Sequence, residues 1–322
     1  MFAQPLRLIL FVTGLLMGSV VFAQAYPNRP IKLIVGFPPG GSGDFLTRLM
    51  ADEMTRELGV TVVVDNRPGA GATIAADAVA KAAPDGYTLL NGGHQTISKE
   101  LYKKLPYDPD RDLAAICKVA TGTTVLVVNQ NSPFQTLKDL IAHAKANPGK
   151  LFSASAGFGS APYLASVQFE AAAGIQFTTV QYKGGGPAAQ SLLTGDTQVM
   201  FATSPTVMGF IKANRMRPLI VSKQHPSPAI SGIPGALEAG LADYESTFWF
   251  GLFAPSGTPA PIIARLHAAA AKSLAKPEIR ERIISQGMDA TPSTSPAAFE
   301  ADIRDEAPLW ERTIRRLGVK VE

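Results

Sequence analysis

Four short segments hold the residues with most to offer a ligand: 36–44, 67–71, 155–162 and 183–187, all rich in Gly, Ser or Ala and poor in charge. Three of them (36–44, 155–162 and 183–187) join a strand pattern to a helical one. In an open parallel sheet such junctions lie at the carboxyl ends of strands, where ligands bind. The first N–H groups of a helix have no intrahelical partner, and the helix dipole favours an anion there. Glycine lets a guest approach the backbone closely. The combination points to a cleft that holds a small anion. Arg67 and Lys183 are the only cations in these loops, and each is either a clamp for a ligand carboxylate or half of a structural ion pair. Ser160 is either a donor to a ligand or a helix cap. Asp44, at a helix start, reads as a cap worth about 1 kcal/mol rather than as a general base. Phe37, Tyr163, Phe248, Trp249 and Phe250 are candidates to line the cleft. His94, after Gly92-Gly93, reads as a solvated loop residue.

Catalytic and cofactor patterns fail at specific positions. Gly36 and Gly41 have P-loop spacing, but Ser42 stands where Lys is required. Gly184-x-Gly186-x-x-Ala189 matches a relaxed dinucleotide pattern without the acidic residue about twenty positions on that would hold a ribose. Neither Ser42 nor Ser160 lies in GxSxG. The four histidines (His94, His143, His225 and His267) have no HExxH spacing, and Cys117 is the sole cysteine, which excludes an intrachain disulfide. No metal and no cofactor is expected. The rival from another class, a secreted serine hydrolase using Ser160 or Ser42, requires the fold to bring a histidine to one of those hydroxyls.

The elements that position these loops follow from the patterning. With 322 residues, 46% hydrophobic and 17% charged, the chain has ample apolar surface for a core and length for roughly two domains of ~150 residues. A net charge of +4 with no long basic run gives no support for a nucleic-acid partner. Short β-branched runs alternate with helical stripes, the signature of parallel sheets with crossover helices. Strands are predicted at 31–35, 60–64, 87–90, 123–129, 151–155, 177–182, 199–202, 219–222 and 248–254. The tail from Pro259 is predicted helical, with breaks at Pro277, Gly287 and Pro308. The expected class is α/β in two lobes, 26–128 plus 245–322 and 129–244, with crossings near Asn129 and Tyr244. Two sequential domains are the alternative left open by pattern alone.

The first 25 residues read as a secretory signal: Arg7, then an apolar run over 8–23, then the small-x-small site Ala23-Gln24-Ala25. Cleavage is expected after Ala25 or Ala23, which makes the protein periplasmic.

Five stretches then resemble one family: GFPPGGSGDFLTR, VVVDNRPGAGATIAADAVAKAAPDGYTLL, SASAGFGSAPYLASVQFEAAAG, VQYKGGGPAAQSLLTGD and FWFGLFAPSGTP. Together they look like the Bug-type periplasmic solute-binding receptors of tripartite tricarboxylate transporters, in order over essentially the whole mature chain. The resemblance implies two α/β lobes of the type II-like periplasmic binding protein fold, each a mainly parallel sheet flanked by helices, joined by two crossing strands and closing on a solute like a Venus flytrap. It implies a non-catalytic receptor that delivers a small organic carboxylate to a membrane permease. The ligand is then held mainly by backbone N–H groups, small hydroxyls and water. Carried over, the site positions are Phe37, Gly40, Gly41, Ser42, Gly43, Asp44, Ala70, Gly71, Ser155, Gly159, Ser160 and Ala161; Lys183 and Gly185 join them from the third junction loop. Two positions depart from the pattern: Tyr163 stands where the family often has His, and Gly184-Gly185-Gly186 replaces Gly-Ser-Ala. A monomer is the default for such a shuttle, and service to a sensor kinase is the alternative to transport.

Overall fold

The structure, a computed structural model, describes residues 26–102, 104–225, 230 and 232–318. The signal segment expected over 1–25 lies outside the described residues.

Among the described residues, ten strands carry the fold: β1 Ile31–Val35, β2 Val62–Asn66, β3 Thr88–Gly92, β4 Leu113–Asn129, β5 Phe152–Ser155, β6 Thr178–Gln181, β7 Val199–Thr203, β8 Met216–Val221, β9 Thr247–Pro255 and β10 Met288–Ala290. The helices of eight residues or more are α1 Ser42–Leu58, α2 Thr73–Ala80, α3 Leu137–Ala146, α4 Ala161–Ala173, α5 Gly185–Thr194, α6 Ser204–Lys212, α7 Ala260–Ala275, α8 Pro277–Ser285 and α9 Pro296–Leu317. Strand order is β2-β1-β3-β9-β4-β7-β5-β6, with β8 and β10 also on β4. β1 runs parallel to β2 and β3, and β5 runs parallel to β6 and β7; every pairing of β4 and β9 is antiparallel.

The long strand β4 belongs to both halves of the sheet. From Leu113 to Thr123 it pairs with β9, and from Thr124 to Asn129 it pairs with β7 and β8. The chain returns at Ser246, and the two crossing segments are stitched through Ser222. Its hydroxyl accepts from the Thr124 N–H (2.9 Å) and donates to the Ser246 carbonyl, while its own carbonyl accepts from the Ser246 N–H (2.8 Å).

Two expectations are corrected here. β4 starts ten residues before the predicted 123–129, because register shifts between Ala115 and Cys117 and between Lys118 and Ala120 break the alternation that marks a strand in sequence. The tail is not wholly helical: β10 follows Gly287 and pairs with Ala120–Gly122, and α9 continues through Pro308 instead of ending there. A proline costs a helix one hydrogen bond, but Phe299 and Ile314, fully buried on either side of it, hold α9 to the body.

Each half has its own core. In the first, the stripe Leu46, Leu49, Met50, Met54 and Leu58 of α1, at the i, i+3, i+4 spacing of one helix face, packs against Leu266, Ala270 and Leu274 of α7. Gly59 ends α1 in the left-handed conformation (φ 74°) that favours glycine. In the second half, Leu126 and Val128 of β4 point into one core with Phe169 and Phe201, while Val125 and Val127 point into the other with Ala188 and Leu192, the period-2 alternation of a strand covered on both faces. Among the described residues, no helix is long and apolar enough to cross a membrane.

Candidate functional site: a cleft where four helices begin

The carboxyl ends of β1, β5, β6 and β7 turn into α1, α4, α5 and α6 around one small cavity. Ser42 and Gly43 reach it from α1, Ala161 and Pro162 from α4, Gly185 from α5 and Thr206 from α6. The N-cap residues Gly41, Ser160 and Thr203 line it as well. The first intrahelical bond of α1 runs from Phe45 N–H to Gly41, that of α4 from Leu164 to Ser160, and that of α5 from Ala188 to Gly184. The N–H groups of Ser42, Gly43, Ala161, Gly185 and Gly186 precede those bonds, so they have no place in the helical ladder. Gly41, Gly184 and Thr203 make no side-chain cap.

The floor is aromatic and apolar. Phe37, Phe248, Trp249 and Phe250 line it, with Phe37 edge-on to Phe250 at 6.3 Å between centroids. Met200 and Ala202 close the side that β7 contributes. Among the described residues, no charged side chain and no histidine lines the cavity. Its volume is about 40 Å³, room for only a few waters, because the two halves nearly touch around it. Pro38 stands against Gly184, and a Cβ on Gly71 would lie 3.0 Å from the Phe158 carbonyl.

Of the positions expected from sequence, Phe37, Gly41, Ser42 and Gly43 line the cavity from the first half. Ser160, Ala161 and Gly185 line it from the second. The others stand behind or beside it. Gly40 donates its N–H to Asp44 (3.2 Å). Gly71, in a tight turn (φ 63°), accepts from the Tyr102 hydroxyl (3.1 Å), with Ala70 beside it. Ser155 faces Gly157, whose N–H reaches its hydroxyl at 3.3 Å, and Gly159 is a positive-φ turn residue (φ 73°). Lys183 is exposed and outside the lining. Of the five aromatics, Tyr163 is displaced from the cavity and packs edge-on to Phe158 at 5.3 Å.

Similarity to known proteins decides the family. The profile described as "Tripartite tricarboxylate transporter family receptor" matches residues 46–319. Protein BugT of Bordetella pertussis is 34% identical over 317 residues, 97% of each chain. A Rhodopseudomonas palustris protein solved with adipate superposes at TM-score 0.88, with 31% identity over 91% of this chain and 99% of that one. MatC from the same organism, with bound malate, superposes at 0.84, with 30% identity over 90% of this chain and all of the other. The chain belongs to the tripartite tricarboxylate transporter receptor family. Its architecture is the two-lobed α/β fold of periplasmic binding proteins, shared with the periplasmic binding protein BugD, which superposes at TM-score 0.86 with 30% identity over 92% of this chain and all of the other.

The polar side chains of the receptor's cleft divide into those already engaged and those open to a guest. The Ser160 hydroxyl donates to the Gly157 carbonyl (2.7 Å) and accepts from the Tyr163 N–H (3.4 Å), so it is the helix cap. Asp44 is engaged as well: besides Gly40, it accepts from Arg48 Nε (3.1 Å to each oxygen) and from Asn66 Nδ2 (2.9 Å). Burial pushes its carboxyl up, but the Arg48, Asn66 and Gly40 donors outweigh that and hold it below the usual range. Asn66 also donates to the Phe37 carbonyl (2.8 Å), so Asp44 and Asn66 together shape the first loop. Arg67 pairs with Asp65 (3.0 Å) and not with the cavity. Among the described residues the Ser42 hydroxyl and the Gln95 amide, 4% and 3% exposed, have no protein partner and face the cavity. Thr203 and Thr206 bond each other across 3.0 Å.

Gln95, Thr203 and Thr206 went unrecognised in the sequence. Thr203 ends β7 and opens α6 without a glycine to mark the junction, and Gln95 follows Gly92-Gly93, where His94 drew attention instead. The expectation for His94 is corrected: it is 2% exposed, stacked face to face on Trp310 at 4.1 Å, not a solvated loop residue.

Proposed function

We propose that this receptor captures a small organic carboxylate between its lobes and hands it to a membrane permease of the tripartite tricarboxylate type. One observation carries the reading: four helix starts converge on a cavity that holds no charged side chain among the described residues. A carboxylate there meets backbone N–H donors and four aligned dipoles, with Ser42 and Gln95 free to add side-chain bonds. The adipate and malate bound by structural relatives belong to the same ligand class. The serine hydrolase reading lacks its base, since no described histidine lines the cavity and the Ser160 proton is committed to Gly157.

In this reading the lobes divide where β4 changes partners, at Thr123 and Thr124, and where the chain returns at Ser246. With a cavity of about 40 Å³, a solute enters when the lobes swing apart about those crossings, and binding favours the closed form. Export through the 1–25 signal, with a mature start at Tyr26 or Gln24, places the receptor where such a permease collects its cargo. A thermal-shift screen against mono-, di- and tricarboxylates and aromatic acids is the test. A carboxylate at a hundred times its dissociation constant should add ~2.7 kcal/mol of stability, and a panel in which no carboxylate shifts the melting point overturns the reading.

A further inference from the structure

A second and larger cavity, about 480 Å³, lies on the opposite face of β9, beneath α9. Along the strand, Phe248 and Phe250 face the solute cleft and Phe253 the space under α9, while Trp249 between them borders both. Trp310 of α9 closes it from above. Its size falls within the range of small-molecule sites.

At the inner end sits His94, 2% exposed, with both ring nitrogens buried and without a hydrogen-bond partner. Burial lowers its pKa to about 3, so the ring is neutral and offers one N–H donor and one acceptor. Buried polar atoms left unmet are costly, and a guest hydroxyl, which both donates and accepts, is the smallest group that answers either nitrogen. The walls are the two indoles and Phe253, suited to a flat apolar body. The outer lining is acidic: Asp110, Glu300, Glu306 and Glu311 stand against Lys99 and Arg304. Lys99 holds Asp110 (2.7 Å), the Trp249 indole N–H (2.7 Å) and Lys118 (3.5 Å) hold Glu306, and Arg315 holds Glu311 (3.6 Å), so among the described residues Glu300 is the lining carboxylate left without a partner.

We propose that this cavity is a second ligand site, distinct from the carboxylate cleft, for a small aromatic amine that carries a hydroxyl: the ring against Trp249 and Trp310, the hydroxyl at His94 and the ammonium at Glu300. The proposal is independent of what the cleft binds.

Calorimetry of the full receptor with tyramine, phenethylamine and 4-hydroxyphenylacetate tests it. Tyramine should bind saturably at one site. Phenethylamine, without the hydroxyl, should bind several-fold more weakly, and 4-hydroxyphenylacetate, with the opposite charge, should fail to displace tyramine. His94→Leu should reduce tyramine to the affinity of phenethylamine. The double change Glu300→Lys and Glu311→Lys, at positions outside the core, should abolish binding without disturbing the fold, and it carries the test should the histidine variant not fold. Gly41→Asp, which obstructs the cleft, should leave tyramine binding intact. Absence of saturable tyramine binding, equal affinity for the two amines, or loss of tyramine in Gly41→Asp overturns the proposal.

Discussion

Pro38 meets Gly184 across the cleft so closely that a Cβ on Gly184 would stand 2.4 Å from the proline Cγ. Pro38 follows β1 in one half and Gly184 caps α5 in the other, at φ 109°, a conformation that side chains disfavour. The halves can therefore close only over a residue with no side chain. Gly184→Ala should fold, yet hold the lobes apart. Solute affinity should fall at least tenfold, and solution scattering of the saturated variant should give a larger radius of gyration than saturated wild type.

The two serines of the cleft should separate cleanly. Ser42 has its hydroxyl open to the cavity, whereas the Ser160 hydroxyl is spent on Gly157 and Tyr163. Ser42→Ala removes one bond to a charged guest, worth about 1.5–3 kcal/mol, or roughly ten- to a hundredfold in affinity. Ser160→Ala removes a cap and should cost about 1 kcal/mol of stability with little change in affinity. Calorimetry and thermal melting of both variants check the pair.

Asp44 sets an acid limit on the first loop. Its donors lower the folded pKa below the ordinary value of about 3.9, so its stabilising contribution is complete above that value and fades as pH falls through the folded pKa. Asp44→Asn should melt below wild type at pH 7, and the gap should narrow below about pH 4. Melting points measured from pH 7 to pH 3 report the convergence; a gap that stays constant over that range means that the carboxylate charge does not shape the loop.

What could be read from the chain depended on whether glycine or alternation marked it. The first junction, Gly36 to Asp44, was legible because its glycines mark the turn from β1 into α1, and Gly41, Ser42 and Gly43 line the cavity. Gln95, Thr203 and Thr206 reach the same space from junctions that no pattern distinguishes from ordinary caps. The aromatics Phe248 and Phe250 were legible as a run, but which face each takes depends on the register of β9 with β4, and that register shifts twice. His94 shows the opposite failure: glycines beside it suggested a loop, while its burial under Trp310 depends on a helix more than two hundred residues away.

Capture by backbone rather than by charged side chains is tested most directly by titrating one stabilising carboxylate into three variants in the same calorimeter. Gly41→Asp adds a side chain where a Cβ meets nothing within 4 Å, at φ −102°, so the fold tolerates it while its charge opposes the guest. Arg67→Ala removes a cation paired to Asp65, and Lys183→Ala removes one that is exposed outside the lining. The expected result is binding lost in Gly41→Asp and kept within a few-fold of wild type in Arg67→Ala and Lys183→Ala. Binding that survives Gly41→Asp but disappears with either cation would contradict capture by the helix starts and put a charged clamp in its place.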